Sequence, residues 1–511
     1  MDIEQFRKAG YAAIDAICDY YQNIQDLPVK SEVKPGYLLD KLPDEAPVKG
    51  EPFDQIAASF KSDVLPGITH WQSPNFYAYF PANSTFESMI ADLYAASVSN
   101  PGFNWICSPA STELEQVVVD WAAKMFGLSP AFLSSSKIGG GVIQGSASEA
   151  ALTAAMAARE RALRHLTHGG KQGANGDIEV PDEVRQKYGQ KLVMYGSTQT
   201  HSLGAKAAIL LGLTFRAVPV SAKDDFALRG DALREAVEED KKAGLVPFFV
   251  VGTVGTTSSG AVDRIAEIGQ VLKENPTMFL HVDAAWAGVA YALPEHRAQL
   301  RLDEVNEHAG SFATNMHKWG LVTFDCTLLY VRDRHDLTQT FDVTPIFLRS
   351  KEADAGDVVD YRNWQIALGR RFRSLKVWFV LRSYGVEGFQ AHLRRSISHC
   401  QALAEAIRAS PNFELVTQPQ LGLLTFRLVP ATPSQALTED TLNKLNQAFY
   451  TELDHRNDIF LTQTALKSKE GSLVHCVRFA IGGVHTKVED VLGTWKIVEQ
   501  VGEKKLKEFK V

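Results

Sequence analysis

This sequence is short of the features that would mark it for a membrane, a nucleic acid or an oxidising compartment. No apolar run reaches the ~18 residues of a transmembrane helix. A net charge of −7 offers little attraction to nucleic acid or to an anionic bilayer. The opening MDIEQFRKAGYAAIDAI mixes acids and bases along an amphipathic helix and lacks a signal-peptide core. Cysteines at 18, 107, 326, 400 and 476 are few and scattered, without a CxxC pair. They read as reduced thiols of a cytoplasmic protein, neither a disulfide framework nor a metal site. Internal repeats and low-complexity tracts are missing as well. What is present is ordinary in bulk: 45% hydrophobic and 22% charged residues describe a soluble globular chain. At 511 residues it exceeds the usual size of a single core, which predicts two or three domains.

Residues 1–85 read as helical pieces between turns at Pro28, Pro35, Pro43, Pro47 and Pro52. Such a segment has too little core of its own and is expected to pack against something larger. From 86 to 385 strands and helices alternate. A glycine-rich turn at 139–141 leads into 142–148 and an Ala-rich helix to about residue 166. Strands at 191–195, 214–220 and 246–254 then alternate with helices at 203–211, 231–243 and 263–274, before a strand that ends on Asp283. That alternation predicts a mainly parallel sheet covered on both faces. The stretch 168–176, HGGKQGANG, predicts an exposed loop. Residues 386–511 predict a smaller α+β unit, with helices at 391–409, 439–452 and from 488. Its strands fall at 414–417, 423–428 and 474–481.

The chemistry centres on Lys318 in Ser311-Phe-Ala-Thr-Asn-Met-His-Lys-Trp319. A lysine flanked by aromatic rings loses hydration, which favours the neutral amine, and a neutral lysine can form a Schiff base with an aldehyde. A lone lysine would read as surface, but His281-Val-Asp-Ala-Ala-Trp286 stands upstream. There a buried strand ends on Asp283, a costly place for a charge without a partner. The protonated ring nitrogen of pyridoxal phosphate is one cation that would offset the cost. Gly145-Ser-Ala-Ser148 precedes a helix, where free N–H groups and the positive dipole end suit a phosphate; capping by Ser146 or Ser148 is the plainer reading. His201 follows a strand end, where ligands collect in α/β sheets. The loop 253–259, Thr253-Val-Gly-Thr-Thr-Ser-Ser259, follows another. His70 to Pro81 holds five further aromatic residues, a core or dimer patch.

HVDAAWAG and NMHKW resemble group II PLP-dependent amino-acid decarboxylases, most closely the aromatic L-amino acid decarboxylases, and the resemblance runs from Phe6 to at least Phe389. It implies PLP fold type I, aspartate aminotransferase-like, with a large PLP-binding domain, a small C-terminal α+β domain, and an N-terminal arm that wraps around a second subunit of a homodimer. It puts pyridoxal 5′-phosphate on Lys318, with Asp283 at the ring nitrogen and His201 flat against the ring. The phosphate falls to Ala147, Ser148 and Asn315, Thr257 lies on the cofactor side, and His317 joins the active site; Met316 replaces the usual proline. Trp71, Phe80 and Phe103 become walls of an aromatic pocket. Gly369 stands where tyrosine-preferring plant relatives carry serine, leaving room for an indole and so voting for tryptophan beside tyrosine, DOPA and phenylalanine. The basic run 370–376 is structural in that family. The implied reaction is loss of CO2 from an aromatic L-amino acid.

One departure bears on the product. Phe347 in Asp342-Val-Thr-Pro-Ile-Phe347-Leu-Arg349 stands where the resembled decarboxylases carry a tyrosine whose phenol returns a proton to Cα. Phenylalanine has no proton to give. The carbanion equivalent at Cα then becomes open to O2, giving aldehyde, ammonia and hydrogen peroxide as in plant aromatic acetaldehyde synthases. Amine and aldehyde both stay open here. The rivals are a transaminase, which needs an arginine for the carboxylate it preserves, and a non-catalytic scaffold, which should have lost Lys318 or Asp283.

Overall fold

The computed structural model describes residues 1–168, 179–431 and 437–509; most of the predicted 168–176 loop lies outside them. Seven strands form its larger sheet: β1 (Gly140–Gln144), β2 (Leu192–Ser197), β3 (Thr214–Val218), β4 (Val246–Thr253), β5 (Phe279–Asp283), β6 (Ser311–Asn315) and β7 (Thr327–Val331). They hydrogen-bond in the order β1-β7-β6-β5-β4-β2-β3. The run from β6 to β3 is parallel, and β7 lies antiparallel to both its neighbours. The fold is thus α/β with a mainly parallel sheet.

Alternation along the strands sends side chains to two separate cores. Val193, Tyr195, Val250 and Leu280 join one, against α3 (Pro109–Phe126), α6 (Gly230–Lys242) and α7 (Ile265–Glu274). Leu192, Met194, Phe249 and Phe279 join the other, against α4 (Ala147–His168) and α5 (Leu203–Leu211). On α4 the small residues Ala151, Ala154, Ala155, Ala158 and Ala162 recur at helical spacing, so the helix lies close on the sheet.

Several expectations need correction. Gly140 and Gly141 belong to β1, not to a turn. A Cβ on Gly141 would lie 2.9 Å from the Tyr330 ring and 3.1 Å from Val119, so the glycine serves close approach within the sheet. The helix expected from 263 starts at Ile265. Asp263 is fully buried, and its carboxylate accepts the amides of Leu228 (2.6 Å) and Thr253 (2.7 Å). Strand β6 went unpredicted because Ser311–Asn315 carries only Phe and Ala as apolar residues.

A second sheet contains β8 (Phe413–Gln420), β9 (Leu423–Leu428), β10 (Thr462–Lys467) and β11 (Leu473–Ala480), all antiparallel in the order β10-β11-β9-β8. It buries Phe426, Val477 and Phe479 against Phe449, Val491 and Trp495. The helix expected at 391–409 begins much earlier, as α8 (Ser374–Ala409), which breaks at Gly385 (φ 61°, ψ −178°). Only glycine takes that conformation without strain.

The N-terminal α1 (Ile3–Asn23) is capped by Asp2, which accepts the amides of Glu4 (2.9 Å) and Gln5 (2.8 Å). It buries none of its residues and leaves Ile3, Phe6, Tyr11, Ile14 and Ile17 exposed. Helix α2 (Phe86–Val98) likewise exposes Phe86, Ile90, Leu93, Tyr94 and Val98. Among the described residues no helix is long and apolar enough to cross a membrane.

Candidate active site

Four loops leave the carboxyl ends of neighbouring strands β2, β4, β5 and β6 on the same edge of the sheet, the edge where open α/β sheets bind ligands. They carry His201, Thr257, Asp283 and Lys318. Asp283 is buried at the end of β5 and accepts one hydrogen bond, from the Ala285 amide at 3.0 Å. Among the described residues its remaining acceptor capacity is open. The turn bearing Lys318 is pinned from both sides: its amide donates to Asn315 O (3.3 Å) and its carbonyl accepts Asn83 Nδ2 (3.0 Å).

Lys318 lies deep in the protein yet keeps part of its surface open to the site. Burial pulls its amine down to about 8; Arg478 adds to the effect and Asp283 opposes it. The ring over the amine is Phe80, with Nζ 5.2 Å from its centroid. Trp319, the neighbour in sequence, is packed behind. Phe80 stacks on Trp286 (4.7 Å) and Trp286 on Trp319 (5.6 Å), whose Nε1 donates to Ser396 Oγ at 3.2 Å. The aromatic residues of the motif therefore form a rigid floor.

The Leu203 amide donates to His201 Nδ1 at 3.3 Å, which assigns the proton of the neutral ring to Nε2. Burial lowers the His201 pKa, against Asp283 and with Lys318, while the ring keeps an exposed side. His317 receives the Cys326 amide on Nδ1 at 2.9 Å, and burial drives it down to about 4, so it is neutral at physiological pH with Nε2 protonated.

These residues fit the expected cofactor. At the start of α4 the Gly145 amide goes to Glu149 Oε2 (2.9 Å) and the Glu149 amide to Ser146 Oγ (3.1 Å). The amides of Ser146, Ala147 and Ser148 have no acceptor among the described residues. Free first-turn N–H groups are what a phosphate needs. Asn315 Oδ1 accepts the Thr327 hydroxyl at 2.9 Å, which fixes the orientation of the amide. Buried polar atoms of Gln199, Thr253 and Arg478 lack hydrogen-bond partners among the described residues, as expected of walls that take a polar ligand.

Arg478 escaped the sequence reading. It lies mid-strand in β11, buried, with its guanidinium 4.3 Å over Phe80. Nε donates to Thr257 O at 2.5 Å and Nη1 to Tyr79 O, while Nη2 has no hydrogen-bond partner among the described residues. Burial lowers its pKa to about 9. The signal was there: an arginine inside the apolar run 474–481 is as anomalous as an aspartate ending one.

Other predicted residues are not brought to Lys318 within this chain. Trp71 is 39% exposed and stacks on Tyr79 at 5.7 Å. Phe103 is half-buried, Gly369 is exposed with open space where a Cβ would go, and Phe347 is 81% exposed on the turn Ile346–Leu348. The basic run is structural: Arg370 pairs with Glu115 at 2.6 Å, both buried, and Arg373 with Asp325 at 2.7 Å.

The pyridoxal-dependent decarboxylase conserved domain matches residues 35–429. Tryptophan decarboxylase 2 of Oryza sativa subsp. japonica is 42% identical, over 99% of this chain and 96% of that protein. Phenylacetaldehyde synthase of Arabidopsis thaliana is also 42% identical, over 98% of this chain and 96% of that protein. A crystal structure of Oryza sativa TDC with PLP and tryptamine superposes with a TM-score of 0.91 at 35% identity, covering 99% of both chains.

Proposed function

The chain belongs to the pyridoxal-dependent decarboxylase family, and from that premise we propose that Lys318, Asp283 and His201 carry the decarboxylation of aromatic L-amino acids. It is a carboxy-lyase of the aromatic-L-amino-acid type with pyridoxal 5′-phosphate as cofactor. One observation supports the assignment above the rest: an amine brought down to about 8, beside a buried carboxylate, at the ends of adjacent strands.

Bound pyridoxal phosphate supplies the electron sink that takes up the electron pair left at Cα as CO2 departs. Lys318 holds the cofactor, because burial makes its neutral, nucleophilic form available near physiological pH. Asp283 holds a proton at the ring nitrogen with the acceptor capacity that Ala285 leaves open. Ala147, Ser148 and Asn315 take the phosphate. His201, neutral and protonated at Nε2, orients the ring; it and His317 are the imidazoles able to offer a proton at Cα. Thr257 supports the wall through Arg478. A transaminase would keep the carboxylate that this reaction releases, so CO2 release separates the two readings.

Trp71, Phe80, Phe103 and Gly369 form the substrate pocket, with L-tryptophan as the favoured substrate. The exposed apolar faces of α1 and α2 support a homodimer in which a second copy covers them and closes the rim. The arylalkylamine is the main product of this reading. Phe347 favours a second: with no phenol at position 347, the substrate, O2 and water would give aldehyde, CO2, ammonia and hydrogen peroxide. Holoenzyme whose visible absorbance is lost on borohydride reduction as the cofactor becomes fixed to Lys318, and which releases CO2 from L-tryptophan, is the expected result. Transamination without CO2, or no cofactor absorbance, would refute the assignment.

A further inference from the structure

The turn that carries Lys318 is held in a conformation it would not take alone. Three residues past the lysine, Leu321 has φ 64°, a left-handed conformation that is unfavourable for a residue with a Cβ. The backbone bonds between the turn's own residues are long: Lys318 N to Asn315 O and Val322 N to Met316 O are both 3.3 Å. Strain of this kind persists only where the surroundings over-determine it.

The residues that open α2 supply the hold. Asn83 Nδ2 donates to Lys318 O (3.0 Å), Thr85 Oγ1 donates to Leu321 O (2.9 Å), and the Thr323 amide donates to Ser88 Oγ (2.9 Å). Three side chains from 83–88 thus grip the turn at its lysine, at its strained residue and at its end. Asn83 reaches furthest. It is buried, and its whole carboxamide is used: Nδ2 also donates to Gly482 O (2.9 Å), and Oδ1 accepts the Val484 amide (2.9 Å). Gly482 and Val484 follow β11, the strand of Arg478, and Gly482 packs against Pro81 and the Trp319 ring. One side chain therefore ties Lys318 to the strand whose arginine lies over the same Phe80 ring as the lysine amine.

We propose that Asn83 is a positioning residue that, with Thr85, braces the strained turn and so fixes the Lys318 amine over Phe80 relative to Arg478 and Asp283. This rests on the reading that Lys318 carries the cofactor. Packing alone would need only volume, which a leucine supplies; a group that donates to two carbonyls and accepts from an amide is a carboxamide.

The test is hydrogen exchange on the holoenzyme, with a second reading taken on the amine itself. In Asn83→Leu, amides of 317–323 and 482–484 should exchange about tenfold faster, the worth of one net hydrogen bond, while β4 and β5 keep wild-type protection. Thr85→Val keeps the shape but loses the donor to Leu321. It should quicken 317–323 and leave 482–484 unchanged, and it serves if Asn83→Leu does not fold. In the full chain freed of cofactor, the pH midpoint for reductive methylation of Lys318 is read by peptide mass spectrometry. It should lie at about 8 in the wild type and rise in both variants, as the loosened amine gains water. Wild-type exchange of 317–323 in Thr85→Val and in any folded Asn83→Leu, or a midpoint unmoved in both, would overturn the brace. If exchange and midpoint shift but the wild type releases no CO2 from L-tryptophan, the brace stands and the decarboxylase reading of the site falls.

Discussion

The centre of the site and its rim are built by opposite rules. At the centre, Lys318, Asp283, Phe80 and Arg478 are fixed by strand ends, a three-ring stack and main-chain carbonyls, all within one chain. At the proposed rim, Trp71, Gly369 and Phe347 stand open on the surface. The difference teaches a division of labour. Loss of CO2 needs groups of tuned charge held without play, and these come from the core. Choice of substrate and fate of the carbanion equivalent need surfaces that admit and release a ligand, and these are left to loops.

Breaking the centre should cost most. Lys318→Ala should lower CO2 release at least about a thousandfold, as removal of a covalent catalytic group does, in a protein that still melts cooperatively. Asp283→Asn should lower it about a hundredfold and weaken retention of the cofactor on dialysis, measured by its visible absorbance. Near-normal turnover in either variant would erase the distinction between centre and rim.

Breaking the rim should act through assembly and product rather than through the core reaction. Leu93→Glu on the exposed face of α2 should weaken the dimer about thirtyfold, the effect of a buried interface residue worth ~2 kcal/mol. Light scattering across a dilution series reads this, and an active monomer at assay concentration in the wild type would defeat it. Phe347→Tyr should leave CO2 release within about threefold while restoring a proton donor on the loop. The ratio of amine to CO2 should rise and any peroxide should fall. Wild type that gives only amine, with no change in the variant, would dismiss the aldehyde reading.

The smallest effect concerns acid stability of the frame beneath both regions. Burial lowers His281 and His317 to about 4 and His392 to about 3, from an ordinary 6.5. These rings are neutral in the fold, and the unfolded chain binds their protons first as pH falls. Their contribution is therefore complete above pH 6.5 and is lost as pH drops from there toward 4. His392→Gln should flatten the fall of melting temperature across that window, and an unchanged slope would contradict the assignment.

How much of this was legible in the sequence depended on whether a residue broke its local pattern. Asp283 did, as a charge ending an apolar strand. Arg478 did as well, yet it was passed over because no motif surrounded it. Phe80 could not be found as the ring over Lys318, since the two are far apart in the chain and meet only through folding. The pairing of Trp319 with Lys318 was misread, because neighbours in sequence diverged in space. Gly140 and Gly141 passed for a turn because glycine marks tight turns and close packing alike.

The most direct test of the division between centre and rim is the rate of CO2 release from L-tryptophan by wild type, Lys318→Ala and Phe347→Tyr, measured side by side. The account predicts at least about a thousandfold loss in Lys318→Ala and a rate within about threefold of wild type in Phe347→Tyr. Near-normal release by Lys318→Ala, or a loss in Phe347→Tyr as deep as that in Lys318→Ala, would contradict it.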